Sequence, residues 1–291
     1  MTLHRLLAAV TLALVLSACV APPESIPPTS TLAPSATPEV PTPTLSAPAE
    51  IAPTPEPPTP MPVTPVSAPG PCEHLLWPLV DGASWTYRLT TPEGEQTIEL
   101  AASVGDVGAT LTADGESRQM ICGEGALAGL PPLPVAHPAL GTGLTGGNPR
   151  GDLLPAPGTL LPLGQPAGWD IELDAGGMIT LPGEEGSTTL PVTGGRLVLI
   201  HETGELETIS TPAGDLLALP VNRDALFDLE VTAADGSTRS VIVSASSRLH
   251  YAEGVGLVRA EYRGGMVSTE DGAWPLDPGS VLELTAYSVP R

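Results

Sequence analysis

From residue 84 onward, apolar and polar residues alternate in short runs that turn-forming residues separate. The alternation is partial but recurrent, as in residues 239–246 (RSVIVSAS) and 281–289 (VLELTAYSV), which are also rich in β-branched residues. A period of two is typical of strands with one buried face. No window has the capped 3.6-residue apolar period of an amphipathic helix, although one short helix near Asp224 is compatible with the pattern. We therefore expect an all-β, mainly antiparallel domain, built of hairpins as a curved sheet, half-barrel or sandwich.

Four pairs of these runs flank short turn sequences and predict β-hairpins. Two of the turns contain Asp-Gly, which favours the positive φ angles of a type I′ turn. The predicted hairpins join residues 84–89 to 96–101, 109–112 to 118–122, 196–201 to 205–210, and 226–232 to 238–244.

Residues 123–168 interrupt the alternation. They are dense in glycine, proline and leucine, and their charged residues are Glu124, Arg150 and Asp152. Proline disfavours strand pairing, whereas leucine favours burial. The segment therefore predicts a long coil that lies on the sheet and covers apolar surface.

Two segments on either side of the coil are alike. PLVDGASWTYRL (residues 78–89) and PLGQPAGWDIEL (162–173) share Pro-Leu, a tryptophan seven residues after the proline, and an apolar residue two positions later. The similarity predicts two matched strands whose tryptophans, Trp85 and Trp169, are both buried in the core.

The N-terminus has a different pattern. Residues 6–16 (LLAAVTLALVL) follow a short start that carries Arg5. An apolar run of this length is typical of a signal peptide and is shorter than the roughly 20 residues of a spanning helix. The run ends in Leu16-Ser17-Ala18-Cys19, which resembles the bacterial lipobox.

This resemblance implies a signal peptide over residues 1–18, cleavage after Ala18, and a diacylglycerol on the thiol of Cys19. Acylation of the new amine, by palmitate for example, is compatible with the motif. Two or more acyl chains give stable anchoring where one is marginal. The alternative is an ordinary signal peptide that leaves Cys19 as a free thiol.

No later stretch approaches 18 uninterrupted apolar residues, so the acyl chains are the expected membrane attachment. We expect a protein anchored by lipid at the cell membrane and facing outside the cytoplasm. In a cell with two membranes, Val20 in place of an aspartate favours the outer membrane.

Residues 19–71 predict a disordered tether. Residues 20–71 hold 18 of the 36 prolines, many threonines and no aromatic residue. Such a segment cannot bury enough apolar area to fold, and extended polyproline II would span at most about 160 Å. We interpret it as a passive spacer. A glycosylated stalk and a proline-motif ligand remain alternatives.

The remaining residues, 72–291, contain all nine aromatic residues and so mark the β-rich extracytoplasmic domain. The region carries 29 of the 33 acidic residues and 10 arginines, and the chain has no lysine. This charge disfavours binding to nucleic acid through a basic patch. The absence of lysine excludes Schiff-base and Walker-type mechanisms.

The three cysteines suggest one disulfide. With Cys19 assigned to lipid, Cys72 and Cys122 remain. Because exported proteins fold in an oxidising compartment, an even remainder of cysteines usually pairs. We expect a Cys72–Cys122 disulfide and no metal at these residues.

Three segments together resemble a poorly characterised group of bacterial envelope proteins. They are WPLVDGASWTYRL (77–89), ETISTPAGDLLALPV (207–221) and AEGVGLVRAEY (252–262). Asp215 departs from the group, in which threonine is more common after the turn glycine. The resemblance implies a β-rich envelope protein, with some relatives similar to the half-barrel sheets of lipoprotein carriers. It implies no activity.

Motifs for chemistry are weak in this sequence. Gly141, Gly143 and Gly146 match G-x-G-x-x-G but lack the flanking strand and helix of a dinucleotide site. His201 and Glu202 predict a solvated pair beside a turn, and the other histidines of the domain, 74, 137 and 250, are scattered. A calcium site at Asp224, Asp228 and Glu230 is less expected than a solvated acidic face. We predict no catalytic, cofactor or metal site.

These observations favour a non-catalytic lipoprotein domain with a structural or interaction role, whose partners are the membrane and an envelope protein. The second hypothesis is a carrier of a hydrophobic ligand with residues 126–163 as its lid. The third is a hydrolase with a dispersed site. A cavity of roughly 300–1,000 Å³ under the coil would favour the carrier, and a buried cluster of acids and histidines the enzyme. The oligomeric state is left open.

Overall fold

The structure is a computed structural model that describes residues 70, 72–106, 108–160, 167–183 and 186–290. These residues belong to one unit, Thr64–Arg291. The predicted signal peptide, the cleavage after Ala18 and the lipid attachment at Cys19 lie outside the described residues. So does the predicted tether, apart from Gly70.

Sixteen β-strands make up most of the described chain, and they are joined by a 3-10 turn (Pro138–Leu140) and a single helical turn, α1 (Pro157–Leu160). In chain order the strands are β1 (Glu73–His74), β2 (Trp77–Pro78), β3 (Ser84–Thr91), β4 (Gly94–Gly105), β5 (Gly108–Ala113), β6 (Glu116–Gly123), β7 (Ala126–Ala128), β8 (Leu144–Gly151), β9 (Gly168–Leu181), β10 (Thr188–Thr203), β11 (Glu207–Thr211), β12 (Gly214–Thr232), β13 (Thr238–Ala252), β14 (Gly256–Thr269), β15 (Gly272–Leu276) and β16 (Ser280–Ser288).

Fourteen strands form one antiparallel sheet that curves into a nearly closed barrel, which confirms the predicted all-β class. The order is β7-β6-β5-β4-β3-β16-β14-β13-β12-β10-β9-β8, with β11 beside β12 and β15 beside β14. The two ends of the sheet approach each other at a bridge between Leu127 in β7 and Leu154, which follows β8. The inner face of this sheet holds the core.

Strand β12 shows how the alternation builds that face. Its odd-numbered residues from Val221 to Val231 are buried, whereas the even-numbered residues between them, such as Asp224 and Asp228, are exposed. Because the period of two continues through Asp224, that residue lies in the middle of a strand. The helix considered near Asp224 is therefore wrong.

Three predicted hairpins are confirmed: β3 with β4, β5 with β6, and β12 with β13. In the β5–β6 turn, Asp114 and Gly115 have φ angles of 50° and 81°, as a type I′ turn requires.

The predicted pairing of β10 with β11 is wrong. Both strands pair with β12, which is 19 residues long: β10 with Val221–Val231 and β11 with Gly214–Ala218. The two strands therefore follow one another along the same edge of β12, because a strand of this length has room for both.

The predicted coil is present in part. Residues 129–143 follow an irregular path, apart from the 3-10 turn, and bury leucines on the inner face. Residues 144–151, however, form the edge strand β8. Sequence rules miss this strand because it contains Gly146, Gly147 and Pro149, and proline is tolerated in a strand at the edge of a sheet.

The predicted disulfide joins Cys72 to Cys122 in β6, with a Cα–Cα distance of 5.0 Å. It ties the residues that precede β3 to β6, which is separated from β3 by β4 and β5 in the sheet. In the described part of the chain, every helical segment is too short to cross a membrane.

Candidate functional site

The segments that carry the family resemblance meet inside the barrel. Trp85 and Tyr87 point inward from β3, where their exposed fractions are 1% and 0%. The indole Nε1 of Trp85 donates to the carbonyl of Val255 at 2.6 Å, and the Tyr87 hydroxyl donates to the carbonyl of Leu257 at 3.0 Å. The Trp-x-Tyr motif therefore binds the backbone of the Gly-Val-Gly-Leu-Val motif. Trp85 is a core residue, as predicted.

Gly256 shows why this contact needs glycine. Its φ angle is +118°, and a Cβ atom there would lie 2.7 Å from Cδ1 of Trp77. Trp77 packs edge-on against Trp85, with ring centroids 6.4 Å apart. A side chain at position 256 would therefore separate the segment from both tryptophans.

A line of polar and aromatic side chains crosses the inner face of five neighbouring strands. Register places these residues opposite one another on β9, β10, β12, β13 and β14. This polar row consists, in strand order, of Trp169, His201, Arg223, Ser247 and Tyr262. It lies across a face that is otherwise mostly aliphatic.

Arg223 is the cation of the polar row. Its exposed fraction is 7%, its Nε donates to Ser247 Oγ at 3.1 Å, and its Nη2 has no hydrogen-bond partner in the described ranges. No carboxylate among the described residues pairs with it. Burial lowers the pKa of Arg223, but a guanidinium stays protonated in proteins. An uncompensated charge is therefore buried here, which is costly.

His201 is next to Arg223 and is also buried, with an exposed fraction of 2%. Neither ring nitrogen has a hydrogen-bond partner in the part of the chain that the structure describes, and the ring stacks on Trp169 with centroids 4.8 Å apart. Burial, followed by the charge of Arg223, lowers the pKa of His201 to about 3, so the ring is neutral. The predicted solvated pair with Glu202 is wrong, because strand alternation sends His201 inward and Glu202 outward.

Tyr262 links the polar row to the coil above it. Its hydroxyl donates to the carbonyl of Pro134 at 2.9 Å. Burial raises the pKa of Tyr262, and burial raises the pKa of the neighbouring Tyr251 to about 12. Both phenols therefore stay protonated, and Tyr262 can act as a donor to the coil.

A small cavity lies between the polar row and the coil. Its volume is about 20 Å³, which is room for about one water molecule. Arg223, Trp77, Tyr251 and Tyr262 line it, together with aliphatic side chains of the sheet and of residues 130–135. The Nε1 of Trp77 is a second buried donor to which the described residues offer no acceptor. The cavity is far smaller than the roughly 300–1,000 Å³ typical of a site for a small molecule.

Two other histidines, through hydrogen bonds of their rings to backbone groups, connect the segment of residues 123–168 to the rest of the domain. Nδ1 of His137 accepts from the amide of Ala139, and its Nε2 bonds the carbonyl of Asp277 at 2.8 Å. Nδ1 of His74 accepts from the amide of Leu76, and its Nε2 bonds the carbonyl of Pro155 at 2.9 Å. Burial lowers the pKa of both rings. Each ring must be neutral to accept at Nδ1.

Trp169 differs from the prediction. It is only half-buried at the start of β9, and its Nε1 donates to the carbonyl of Leu153 at 3.2 Å. Ile171 and Leu173, on the same face, are fully buried. Trp169 therefore lies at the rim of the inner face and covers His201, rather than filling the core.

The remaining candidates from the sequence do not converge. Asp224, Asp228 and Glu230 lie on the exposed outer face of β12. Gly141 ends the 3-10 turn and Gly146 lies in β8, so the motif lacks the strand and helix of a dinucleotide site. In the described ranges, no group of three acidic, histidine or cysteine residues could hold a metal ion.

Sequence reasoning did not identify Arg223, although a signal was available. In VNRDALFDLEV (residues 221–231), alternation from Val221 places residue 223 on the buried face. A charged residue in register with buried apolar residues is the feature to look for in such a strand.

Three solved structures are similar to this chain. They are a candidate lipoprotein from Parabacteroides distasonis ATCC 8503 (13% identity, 74% of this chain and 99% of that chain, TM-score 0.39), a candidate exported protein with a YmcC-like fold from Bacteroides fragilis NCTC 9343 (13%, 74% and 100%, TM-score 0.34), and the hypothetical lipoprotein YmcC from Escherichia coli (K12) (10%, 72% and 86%, TM-score 0.31). No protein-family model matches the sequence, and no curated protein matches it.

Proposed function

We propose that this protein is an extracytoplasmic lipoprotein, anchored by acyl chains on Cys19 at the outer surface of a cell membrane. The apolar run of residues 6–16 and the sequence Leu16-Ser17-Ala18-Cys19 carry the proposal. In this proposal, cleavage follows Ala18, and the tether of residues 19–71 separates the β domain from the membrane. In a cell with two membranes, Val20 in place of an aspartate favours the outer one.

The cysteines support export. Cys72 and Cys122 form a disulfide, and the third cysteine is at the end of the apolar run. Structural disulfides persist in oxidising compartments outside the cytoplasm. The same pair ties Trp77 and its neighbours to the sheet, so the bond has a role in the folded domain.

Replacing Cys19→Ser tests the anchor. The parent chain should sediment with membranes, resist a salt wash and carry the mass of a diacylglycerol adduct on Cys19. The Cys19→Ser chain should be released into the soluble fraction, whereas Ser46→Ala, a control within the tether, should behave as the parent does. A Cys19→Ser chain that stays in the membrane pellet through the salt wash would refute the lipid anchor.

For the β domain, we propose an interaction role without catalysis. The hydroxyls of the polar row are used for structure, because Ser247 accepts from Arg223 and Tyr262 donates to Pro134. Neither nitrogen of His201 contacts a hydroxyl that it could activate. A nucleophile and its base need such a contact.

A carrier of a hydrophobic ligand is the second candidate, and the unpaired Arg223 beneath the coil favours it. Mass spectrometry of the protein purified from its own membranes tests this function. A lipid should co-purify in a fixed ratio to protein and should be lost on unfolding. Protein free of any bound lipid would favour the purely structural role.

A further inference from the structure

We propose that Arg223 binds the anionic head group, a carboxylate or a phosphate, of a molecule with an apolar tail, and that residues 130–135 (LPPLPV) occupy the place of the tail until it enters. We call residues 130–135 the plug. The inference rests on the second candidate function, ligand binding inside the sheet, and it adds the class of ligand.

The head group follows from the donors in the cavity wall. Arg223 and Trp77 both line the cavity, and each has a buried N–H group for which the described residues supply no acceptor. One water molecule would satisfy a donor but would leave the buried charge uncompensated. An anion would accept a hydrogen bond from the free donor and would also compensate the charge. The planar guanidinium matches the paired oxygens of a carboxylate or a phosphate.

The missing carboxylate is notable in a domain with 29 acidic residues. Glu202 and Asp224 are next to the polar row in the sequence, yet both point to the outer face. Among the described residues, the protein therefore keeps an inner cation without an acid that would neutralise it. A bound anion accounts for that arrangement.

The apolar tail follows from the rest of the wall. The sheet contributes Leu199, Leu249 and Leu257 to the cavity, and the plug contributes Leu130, Leu133 and Val135. These plug residues cover the inner face next to Arg223. An acyl chain in the same place would bury a comparable apolar surface.

The plug is suited to leave. Three of its six residues are prolines, which donate no backbone hydrogen bond. Among the described residues, its one hydrogen bond to the rest of the protein is the one that the Tyr262 hydroxyl donates to the carbonyl of Pro134. Withdrawal of the plug therefore breaks few polar contacts, and the cavity of about 20 Å³ requires that withdrawal before a tail can enter.

Isothermal titration calorimetry tests the proposal on the full chain carrying Cys19→Ser. Without the lipid anchor, the chain should need no detergent, which would otherwise compete with the probes for the cavity. The probes are dodecyl phosphate, dodecanoate, dodecanol and inorganic phosphate. Dodecyl phosphate and dodecanoate should bind, and dodecanol and inorganic phosphate should each bind at least about tenfold more weakly.

Arg223→Met should weaken binding of the two anionic amphiphiles about tenfold or more. Arg223→Lys should retain part of it, and Arg196→Met on the outer face should leave it unchanged.

Tyr262→Phe tests the plug separately. Loss of the hydroxyl removes the bond to Pro134, so dodecyl phosphate should associate faster, whereas Tyr287→Phe, at an exposed position of β16, should leave the rate unchanged.

Equal affinity for dodecanol, or Arg223→Met binding as the parent does, would overturn the head-group assignment. Inorganic phosphate binding as tightly as dodecyl phosphate would overturn the tail and the plug. Absence of binding by every probe would overturn the whole inference. Mass spectrometry of any lipid that co-purifies from the native membranes tests the carrier function independently: a co-purified lipid without an anionic head group would leave the carrier standing and overturn the head-group assignment.

Discussion

Two regions inside the barrel place polar groups in apolar surroundings in opposite ways. In the Trp85–Tyr87 pair, the indole N–H and the phenol each donate to a backbone carbonyl of residues 255–257. In the polar row, Arg223 Nη2 and both nitrogens of His201 have no hydrogen-bond partner among the residues that the structure describes. The first region is complete in itself, and the second is not.

This difference separates structure from function. Buried polar groups in folded proteins are nearly always hydrogen-bonded, so unpaired ones need an explanation. The Trp85–Tyr87 pair holds β3 against the start of β14 and needs nothing more. The polar row retains the free-energy cost of a buried, unpaired charge, and an anionic ligand would reduce that cost. In our proposal, the first region stabilises the fold and the second binds a ligand.

The largest expected effect comes from the Trp85–Tyr87 pair. Trp85→Ala should lower the free energy of unfolding by about 3–5 kcal/mol, because a fully buried indole and its hydrogen bond are lost. Trp169→Ala should cost only about 1 kcal/mol, because Trp169 is half-buried at the rim. Denaturant unfolding measures both, and equal losses would show that the two regions do not differ.

The disulfide should have the next largest effect. Replacing both Cys72 and Cys122 with alanine should lower the free energy of unfolding by about 2–4 kcal/mol, because the bond closes a loop with a sequence separation of 50. The loss should disappear when parent and variant are compared under reducing conditions. A variant as stable as the oxidised parent would mean that the bond constrains nothing in the unfolded chain.

Acid should act mainly on the polar row. The unfolded chain protonates histidine near pH 6.5, whereas burial keeps His201 neutral down to about pH 3. The unfolded state therefore binds more protons below pH 6.5, and stability should fall as pH falls. His201 alone accounts for about 2 kcal/mol between pH 6.5 and pH 5.

The variant His201→Phe, which keeps a ring beside Trp169 and Arg223, isolates this contribution. It should flatten the dependence of stability on pH between 5 and 6.5. Part of the slope should remain, because burial also lowers the pKa of His74, His137 and His250. An unchanged slope would show that His201 is protonated in the folded protein.

The features of the fold that the sequence predicts are those that depend on local pattern, and the features that it misses depend on distant contacts. Alternation and Asp-Gly turns predicted the class, three hairpins and the buried Trp85, because these depend on local pattern. The shared edge of β12 and the strand β8 were missed, because both depend on pairing partners far apart in the sequence. Trp169 was placed in the core from its motif, but its position at the end of β9 decides its burial.

The candidate site was harder to predict than the fold. The sequence shows Arg223, His201 and Tyr262 as separate residues on three strands, and only register brings them into one row. Whether a buried polar atom has a partner depends on the packing around it. The alternation could have revealed that Arg223 points inward, but not that it lacks a carboxylate.

The stability of Arg223→Met tests the central claim most directly, because it needs no ligand. If the polar row is an incomplete binding site, removing its unpaired charge should leave the free energy of unfolding equal to that of the parent or higher, since methionine fills much of the same space without the cost of desolvation. The melting temperature of the ligand-free full chain should likewise stay the same or rise. A loss comparable to that of Trp85→Ala would contradict the account, because Arg223 would then be a structural residue like those of the Trp85–Tyr87 pair.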